Sequence, residues 1–240
     1  KLNRLTKETF ADSEFVTFEY DNAGNLITKT DQLGNEFVHS YDSMNRLTKK
    51  DITRAIGVNG TTAQAFYFDA LGRMTKATDD NGSNDDSEVI WYYDDASRVT
   101  RESQTVGVKT TRNVDSEYDP AGNRTKITYP SASYLELSYD NVNNMTRIYD
   151  GSTAHASYEY SDVNLVTKKT LGTSTAVDLE VYYDNGYRIT KYDWVQSAST
   201  LVGFTYGHDD AGNKNFQEVL HGSGLDELYE YDTAHRLTNF

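Results

Sequence analysis

The sequence predicts an all-β chain, a repeat array of antiparallel β-hairpins forming a long, twisted, spiralling sheet of solenoid-like character. Three observations carry that prediction. The stretch Tyr20-Asp21-Asn22-Ala23-Gly24-Asn25-Leu26-Ile27-Thr28 returns in recognisable form every 21 to 27 residues. Large apolar residues alternate with polar ones around each copy, the period of a strand with one covered face. No helical periodicity persists for three turns, and only two prolines occur in 240 residues, as expected where most backbone N–H groups are committed to ladders. A repeat covering 1–240 reads as a single array whose units need their neighbours, not as one or two conventional globular domains.

Counting the ring as position 0, full copies begin at Tyr20, Tyr41, Phe68, Tyr93, Tyr118, Tyr139, Tyr160, Tyr183, His208 and Tyr231, and a partial copy stands at residues 3–6 as Asn3-Arg4-Leu5-Thr6. The strand before the turn carries a large apolar residue at position −2 in most copies (Phe18, Phe66, Trp91, Leu137, Tyr158, Val181, Tyr206, Tyr229). Positions −2 and 0 therefore share one face.

The turn comes next. Position 1 is Asp in nine of ten full copies (Asp21, Asp42, Asp69, Asp94, Asp119, Asp140, Asp184, Asp209, Asp232) and Ser161 in the other. Both side chains accept hydrogen bonds from backbone N–H groups just ahead and so fix a turn. Position 4 is Gly24, Asn45, Gly72, Ser97, Gly122, Asn143, Asn164, Tyr187, Gly212 or His235, mostly residues that tolerate positive φ. Asp first and Gly fourth specify a type I turn closed by a left-handed bulge residue, and Pro120 after Asp119 suits its second place. Tyr187 breaks the pattern, and the adjacent Gly186 suggests a locally shifted turn. After the turn, segments such as Arg46-Leu47-Thr48-Lys49 and Arg73-Met74-Thr75-Lys76 place one apolar residue among polar ones with a β-branched Thr, a second strand. Connections between hairpins vary (Asp31-Gln32-Leu33-Gly34, Asp79 to Glu88, Leu171-Gly172-Thr173, His221-Gly222-Ser223-Gly224) and absorb the spread in repeat length.

Apolar content of 37% and a mean hydropathy of −0.72 are low for a compact domain, yet 19 Tyr and 9 Phe supply large contact area, so the expected interior is an aromatic ladder. The absence of cysteine excludes disulfides and thiolate metal sites. A net charge of −14 argues against nucleic acid and anionic membranes as partners. Nine of the 37 acidic residues are the turn aspartates themselves. No apolar run approaches membrane-spanning length. Both ends lie in the same repeat phase, which reads as a fragment whose first partner is the remainder of a longer chain. Open sheet edges at both ends also make head-to-tail self-association an expectation.

Chemistry-bearing clusters are few. The run Asp79 to Glu88 is dense in hard oxygen donors, and Asp79, Asn81, Asp85 and Asp86 form a weak calcium candidate. Its Gly stands fourth rather than sixth and no Glu stands twelfth, so a solvated loop is the simpler reading. The histidines His39, His155, His208, His221 and His235 fall in different repeat phases, which argues against a zinc or catalytic cluster. No nucleophile elbow, phosphate loop or metalloprotease helix occurs, and carboxylates repeated in every turn cannot single out an acid/base pair. The sequence therefore predicts no catalytic residue and no cofactor.

The repeated Tyr-Asp-x-x-Gly-Asn/Arg-Leu-x-Thr resembles the YD repeat of the Rhs family, which includes bacterial Rhs and wall-associated proteins, shell components of insecticidal toxin complexes, and the teneurins. The resemblance runs from Asn3 to Thr238. It implies a strip of hairpins spiralling into a hollow shell that, in the bacterial toxins, encloses a cytotoxic C-terminal segment, with secreted or cell-surface location. The family's shell-closing segment, rich in Asp-Pro-x-Gly-Leu, has no counterpart here, nor has any toxin domain. The function implied is a non-catalytic segment of a β-shell or scaffold that encloses or presents an effector. The alternative is a surface adhesion or carbohydrate-binding module, with exposed rings stacking on glycans.

Overall fold

A computed structural model of the chain describes residues 4–82, 86–172, 175–222, 224 and 226–240. Among these there are twenty-two strands and no helix. Asn3, Asp85, Thr173 and Ser223, named above in the partial copy, the calcium candidate and two connections, lie outside the described residues.

The chain divides into two compact units, Lys1–Ser116 with Tyr129–Ala132, and Glu117–Thr128 with Ser133–Phe240. In the first, the strands from Lys7–Thr9 and Phe15–Tyr20 through Leu26–Thr30, Glu36–Tyr41, Leu47–Thr53, Ala63–Phe68, Met74–Asp80 and Ser87–Tyr93 to Val99–Val106 pair antiparallel in chain order, and Arg112–Asp115 continue the ladder. In the second, Arg124–Thr128 to Glu227–Leu228 pair in the same sequential way, and Glu230–Tyr231 pairs with Leu237–Asn239 as the last hairpin.

Register is interrupted at one place, between positions −1 and 0, in the hairpins of Tyr20, Tyr41, Phe68, Tyr93, Tyr139, Tyr160, Tyr183, His208 and Tyr231. Glu19 pairs with Thr28 but Tyr20 with Leu26, and Tyr182 pairs with Lys191 but Tyr183 with Ile189. The extra residue there is position 7, Ile27 or Thr190, so this bulge lies beyond the turn, whereas the left-handed residue closes the type I turn itself, with the position-1 N–H donating to the position-5 carbonyl. The left-handed residue is position 4 in every full copy, including Asn45, Ser97, Asn143, Asn164 and His235 at φ between 59° and 68°.

Tyr187 corrects the sequence expectation. Its φ is 62° and its N–H donates to the Asp184 carbonyl at 3.0 Å, so the turn is unshifted and Gly186 is not the left-handed residue. A side chain in that conformation costs about 1–2 kcal/mol, offset by the surrounding hydrogen bonds described below.

Alternation decides what is covered. Rings at positions 0 and −2 are half-buried, while Tyr67, Tyr92 and Tyr182 at position −1 are about half exposed. Cross-strand pairs close the covered face: Phe18 opposite Lys29, Tyr158 opposite Lys169, Leu137 opposite Ile148, and Trp91 opposite Glu102. Lys29 and Lys169 lay their ammonium groups 6.0 Å and 5.5 Å from the facing ring centres, and Trp91 Nε1 donates to Glu102 at 2.9 Å. The expected aromatic ladder is thus present as a half-covered face rather than a dry core. Only Val16, Ala156 and Val181 are buried apolar residues among those described.

Truncating a covered ring removes both area and cross-strand contact. Tyr93→Ala should cost about 1.5–2.5 kcal/mol, roughly half the loss of a fully buried aromatic. Lys109→Ala, on an exposed turn, should stay within about 0.5 kcal/mol. Equilibrium urea unfolding of the two variants checks the difference, and equal midpoints would contradict the assignment of faces.

Candidate functional site

The recurring side-chain chemistry is concentrated in the turns. At the Tyr41 repeat, Asp42 Oδ1 accepts the N–H groups of Met44 and Arg46 at 2.9 Å and 3.0 Å, and Oδ2 accepts Arg46 Nε at 2.7 Å. The Asp42 N–H donates to the Arg46 carbonyl, and the Asn45 N–H to the Asp42 carbonyl, both at 3.0 Å. The same closure recurs with Arg73, Arg98, Arg188 and Arg236. Asn25, Asn123, Asn144 and Asn213 close it by donating Nδ2 to their own Asp Oδ2 at 2.8 to 3.0 Å. Position 5 is therefore the second half of the clamp, a role the sequence reading missed although its Asn/Arg alternation was visible. Ser161 offers a single acceptor, to the Leu165 N–H at 3.2 Å.

The connection Asp31-Gln32-Leu33-Gly34 turns out to be another copy of the device. Asp31 accepts from the N–H groups of Leu33 and Asn35 and from Asn35 Nδ2, and Gly34 sits at φ 81°. Asn35 is buried, and its Oδ1 accepts the Ala55 N–H at 2.9 Å. The signal Asp-x-x-Gly-Asn was present in the sequence without the preceding ring.

These hydrogen bonds hold the turn carboxyls below the ordinary Asp range. At Asp42, Asp94, Asp184 and Asp232 the largest cause is the position-5 backbone N–H. At Asp21, Asp119 and Asp209 it is the Asn side-chain amide. At Asp69 and Asp140 desolvation is the largest influence and pushes upward, but the hydrogen bonds together outweigh it.

Between repeats the ring is a staple. Tyr20 Oη donates to the Leu5 carbonyl at 3.0 Å, Tyr41 to Leu26 at 2.8 Å, Tyr93 to Met74 at 2.6 Å, Tyr139 to Arg124 at 3.0 Å, Tyr160 to Met145 at 2.8 Å, Tyr183 to Val166 at 2.9 Å and Tyr231 to Lys214 at 2.8 Å. Each acceptor is position 6 of the preceding copy, just past its turn. This accounts for Tyr over Phe at position 0: a half-covered phenol can satisfy a carbonyl that the ladder to the next strand does not reach, as at Leu26, where that ladder begins only at Thr28. Burial also pushes the phenols of Tyr41, Tyr139, Tyr160 and Tyr183 above their ordinary range.

The acidic loop behaves differently from the motif. Asp79 accepts from Thr61 Oγ1 at 3.0 Å and Gln64 Nε2 at 2.9 Å, and Asp86 accepts the Asn81 N–H at 3.0 Å. Asp79 thus ties the run to the Ala63–Phe68 strand and the connection before it, Asp86 closes the run on itself, and among the described residues no three His, Asp or Glu side chains gather as a metal set. The histidines stand apart: His155 meets Asp150 at 3.1 Å, His221 Nδ1 lies 3.0 Å from the Gly203 nitrogen, and His235 Nδ1 lies 3.1 Å from Asn213 Nδ2. Within each unit the structure gathers the motif residues into a repeated hydrogen-bonded line, and it brings no comparable set together elsewhere among the described residues.

Comparison with known proteins agrees with the repeat geometry. The model of the RHS repeat matches residues 1–36 and 20–55. No curated protein matches the chain in sequence. Among solved structures, the Photorhabdus luminescens Tc holotoxin pore carrying the TccC3-D651A mutation superimposes with a TM-score of 0.69 at 12% identity, over 97% of this chain and 13% of that one. The crystal structure of TcdB2-TccC3 gives 0.68 at 13% identity, over 97% and 13%. The form without the hypervariable C-terminal region gives 0.68 at 13% identity, over 93% and 13%. At such identity these likenesses show the fold, and the chain spans 13% of the length of the solved chains it matches.

The staple and the clamp each yield a measurement. Tyr183→Phe should cost about 1 kcal/mol, the net worth of one hydrogen bond, while Tyr67→Phe, on the exposed face, should stay within about 0.5 kcal/mol. Urea titration distinguishes them. Because the turn carboxyls are depressed in the folded chain, their stabilisation is complete above the unfolded Asp value of about 4 and is lost as pH falls below it through the folded values. Melting temperature should therefore decline steeply below about pH 4, and Asp42→Asn combined with Asp184→Asn should flatten that decline. A melting temperature unchanged between pH 5 and 3 would contradict the clamp.

Proposed function

We propose, from the premise that this chain is a member of the Rhs/YD-repeat family, that it is a wall segment of a larger β-shell and has no catalytic role of its own. The observation that carries this reading is the distribution of the chemistry. The polar groups that recur are spent on closing turns and tying each repeat to the one before it, which is the construction of a wall. The family match and the shared fold support such a segment, and a chain that spans 13% of the matched structures suits one stretch of a strip continued by further repeats. The shell would enclose or present an effector carried by the same polypeptide, in a secreted or cell-surface protein.

A second reading, a glycan-binding surface, draws on Tyr67, Tyr92 and Tyr182, whose rings stand on the exposed face. Lys76 and Lys191 lie 5.6 Å and 5.4 Å from the Tyr67 and Tyr182 ring centres, so the accessible ring area is partly taken by lysine stems. This favours the wall.

Limited proteolysis of the full-length gene product tests the proposal. A shell wall should protect any enclosed C-terminal segment until the strip is opened, and Tyr41→Ala with Tyr183→Ala should release it. Immediate digestion of that segment in the intact protein, together with glycan binding lost on Tyr67→Ala, would replace the wall by the second reading.

A further inference from the structure

The residue at position 5 of one turn and the residue at position 4 of the next are matched in chemistry. Arg4, Arg46, Arg73 and Arg188 are followed one repeat later by Gly24, Gly72, Ser97 and Gly212, whereas Asn25, Asn123, Asn144 and Asn213 are followed by Asn45, Asn143, Asn164 and His235. Leu165, with no side-chain donor, precedes Tyr187.

Reach explains the match. After clamping its own Asp, or in the case of Arg4 from the partial copy, the guanidinium extends to the next turn: a terminal nitrogen donates to the Asp21 carbonyl from Arg4 at 3.2 Å, to Asp94 from Arg73 at 3.3 Å, and to Asp209 from Arg188 at 3.0 Å. A Cβ on Gly24 or Gly212 would stand 3.3 or 3.5 Å from that nitrogen, and one on Gly72 3.4 Å from Arg46 Nη1, which is buried without a hydrogen-bond partner, so atoms beyond a Cβ would compete with the guanidinium for this space. Ser97 is accommodated because its Oγ accepts from Arg73 at 3.0 Å. The guanidinium also stacks on the next ring, 4.8 Å from Tyr20, 4.4 Å from Phe68 and 4.5 Å from Tyr93. The Asn amide is shorter and makes none of these contacts. An acceptor comes to it instead: Oδ1 of Asn45 at 2.9 Å, of Asn143 at 2.8 Å and of Asn164 at 3.0 Å, or Nδ1 of His235 at 3.1 Å.

We infer that this pair is a pairing code between successive turns, and that the last turn is a docking edge for one kind of partner, a β-hairpin of the same repeat whose turn reads Asp-x-x-Gly or Asp-x-x-Ser and not Asp-x-x-Asn. Arg236 is clamped to Asp232 like its counterparts, but its side chain is 79% exposed against 25 to 36% at Arg46, Arg73, Arg98 and Arg188. Strand Leu237–Asn239 is exposed throughout and pairs with Glu230–Tyr231 alone among the described residues. The Leu237 carbonyl occupies position 6, the acceptor place that Leu26 fills for Tyr41 and Val166 for Tyr183. An incoming hairpin would thus find a ring seat, a phenol acceptor and an unengaged guanidinium face. The docking inference rests on the wall reading; the code rests on the contacts alone.

The experiment appends residues 9–30 of this chain after Phe240, which puts a second Tyr20 and Gly24 in phase with Arg236, and reads amide exchange at Leu237–Asn239. The appended hairpin should slow exchange about tenfold or more, and the version with Asn in place of its Gly24 should not. In the Arg236→Asn background the preference should reverse. Equal protection by the two hairpins, protection by neither, or no reversal overturns the docking edge, and each leaves the proteolysis test of the wall untouched. Within the chain, Arg188→Asn and Gly212→Asn should each lower the melting temperature while the double substitution recovers most of the loss. Additive losses would overturn the code.

Discussion

Each motif hairpin is closed by an Asp carboxylate, with Ser161 the one replacement, that accepts backbone N–H groups ahead of it and the donor of the residue four places on, and the remaining structure depends on that closure. A strand slipped by one residue would turn its rings to the exposed face. In most proteins a deep core opposes such a slip. Here only three apolar side chains are buried among the described residues, so register is held locally, by a turn whose length the carboxylate sets. With the turn closed, position 0 pairs with position 6 and lies on the covered face, its phenol aimed at the preceding repeat.

Stability in such a sheet comes from many modest contacts. A half-covered ring contributes part of the usual burial energy, a phenol hydrogen bond adds about 1 kcal/mol, and an arginine or lysine over a ring adds roughly 0.5–1 kcal/mol. Each is made between neighbours in sequence order, so the energy grows with the number of repeats. The tolerance of Phe68 and His208 at position 0 fits this accounting. Neither can reproduce the tyrosine staple in full, but Phe68 keeps the guanidinium of Arg46 4.4 Å from its ring centre, and one weakened link among many is affordable.

The same economy constrains position 4. It must be left-handed, which favours Gly and Asn, yet Ser97, Tyr187 and His235 adopt that conformation too. Glycine's freedom of φ is only part of its use: at Gly24 and Gly212 the missing side chain is also the space into which an arginine from the preceding turn reaches. Ser97 and His235 take part instead by accepting a bond from the preceding turn.

Much of this was legible in the sequence because hairpin structure is encoded over a few residues. The ring, the Asp and the left-handed residue occur in fixed order, and period-2 alternation assigns the covered face without knowledge of any distant contact. The acidic run at Asp79 to Glu88 was read as a solvated loop, but its ends are strand: Asp79 and Asp80 close Met74–Asp80, and Ser87 and Glu88 open Ser87–Tyr93. The turn at Asp31 was readable in principle but lacked the ring that drew attention to the others. The tertiary structure alone decided which groups meet across repeats: that position 5 clamps its own Asp and in most copies reaches the next turn, that Tyr20 seeks the carbonyl of Leu5, and that Tyr187 holds a strained φ without shifting its turn. The contacts between repeats join residues some 15 to 24 positions apart, and only the pairing of neighbouring strands brings them within hydrogen-bond distance; the clamp spans four residues, but its donor was not singled out by the motif's Asn/Arg alternation.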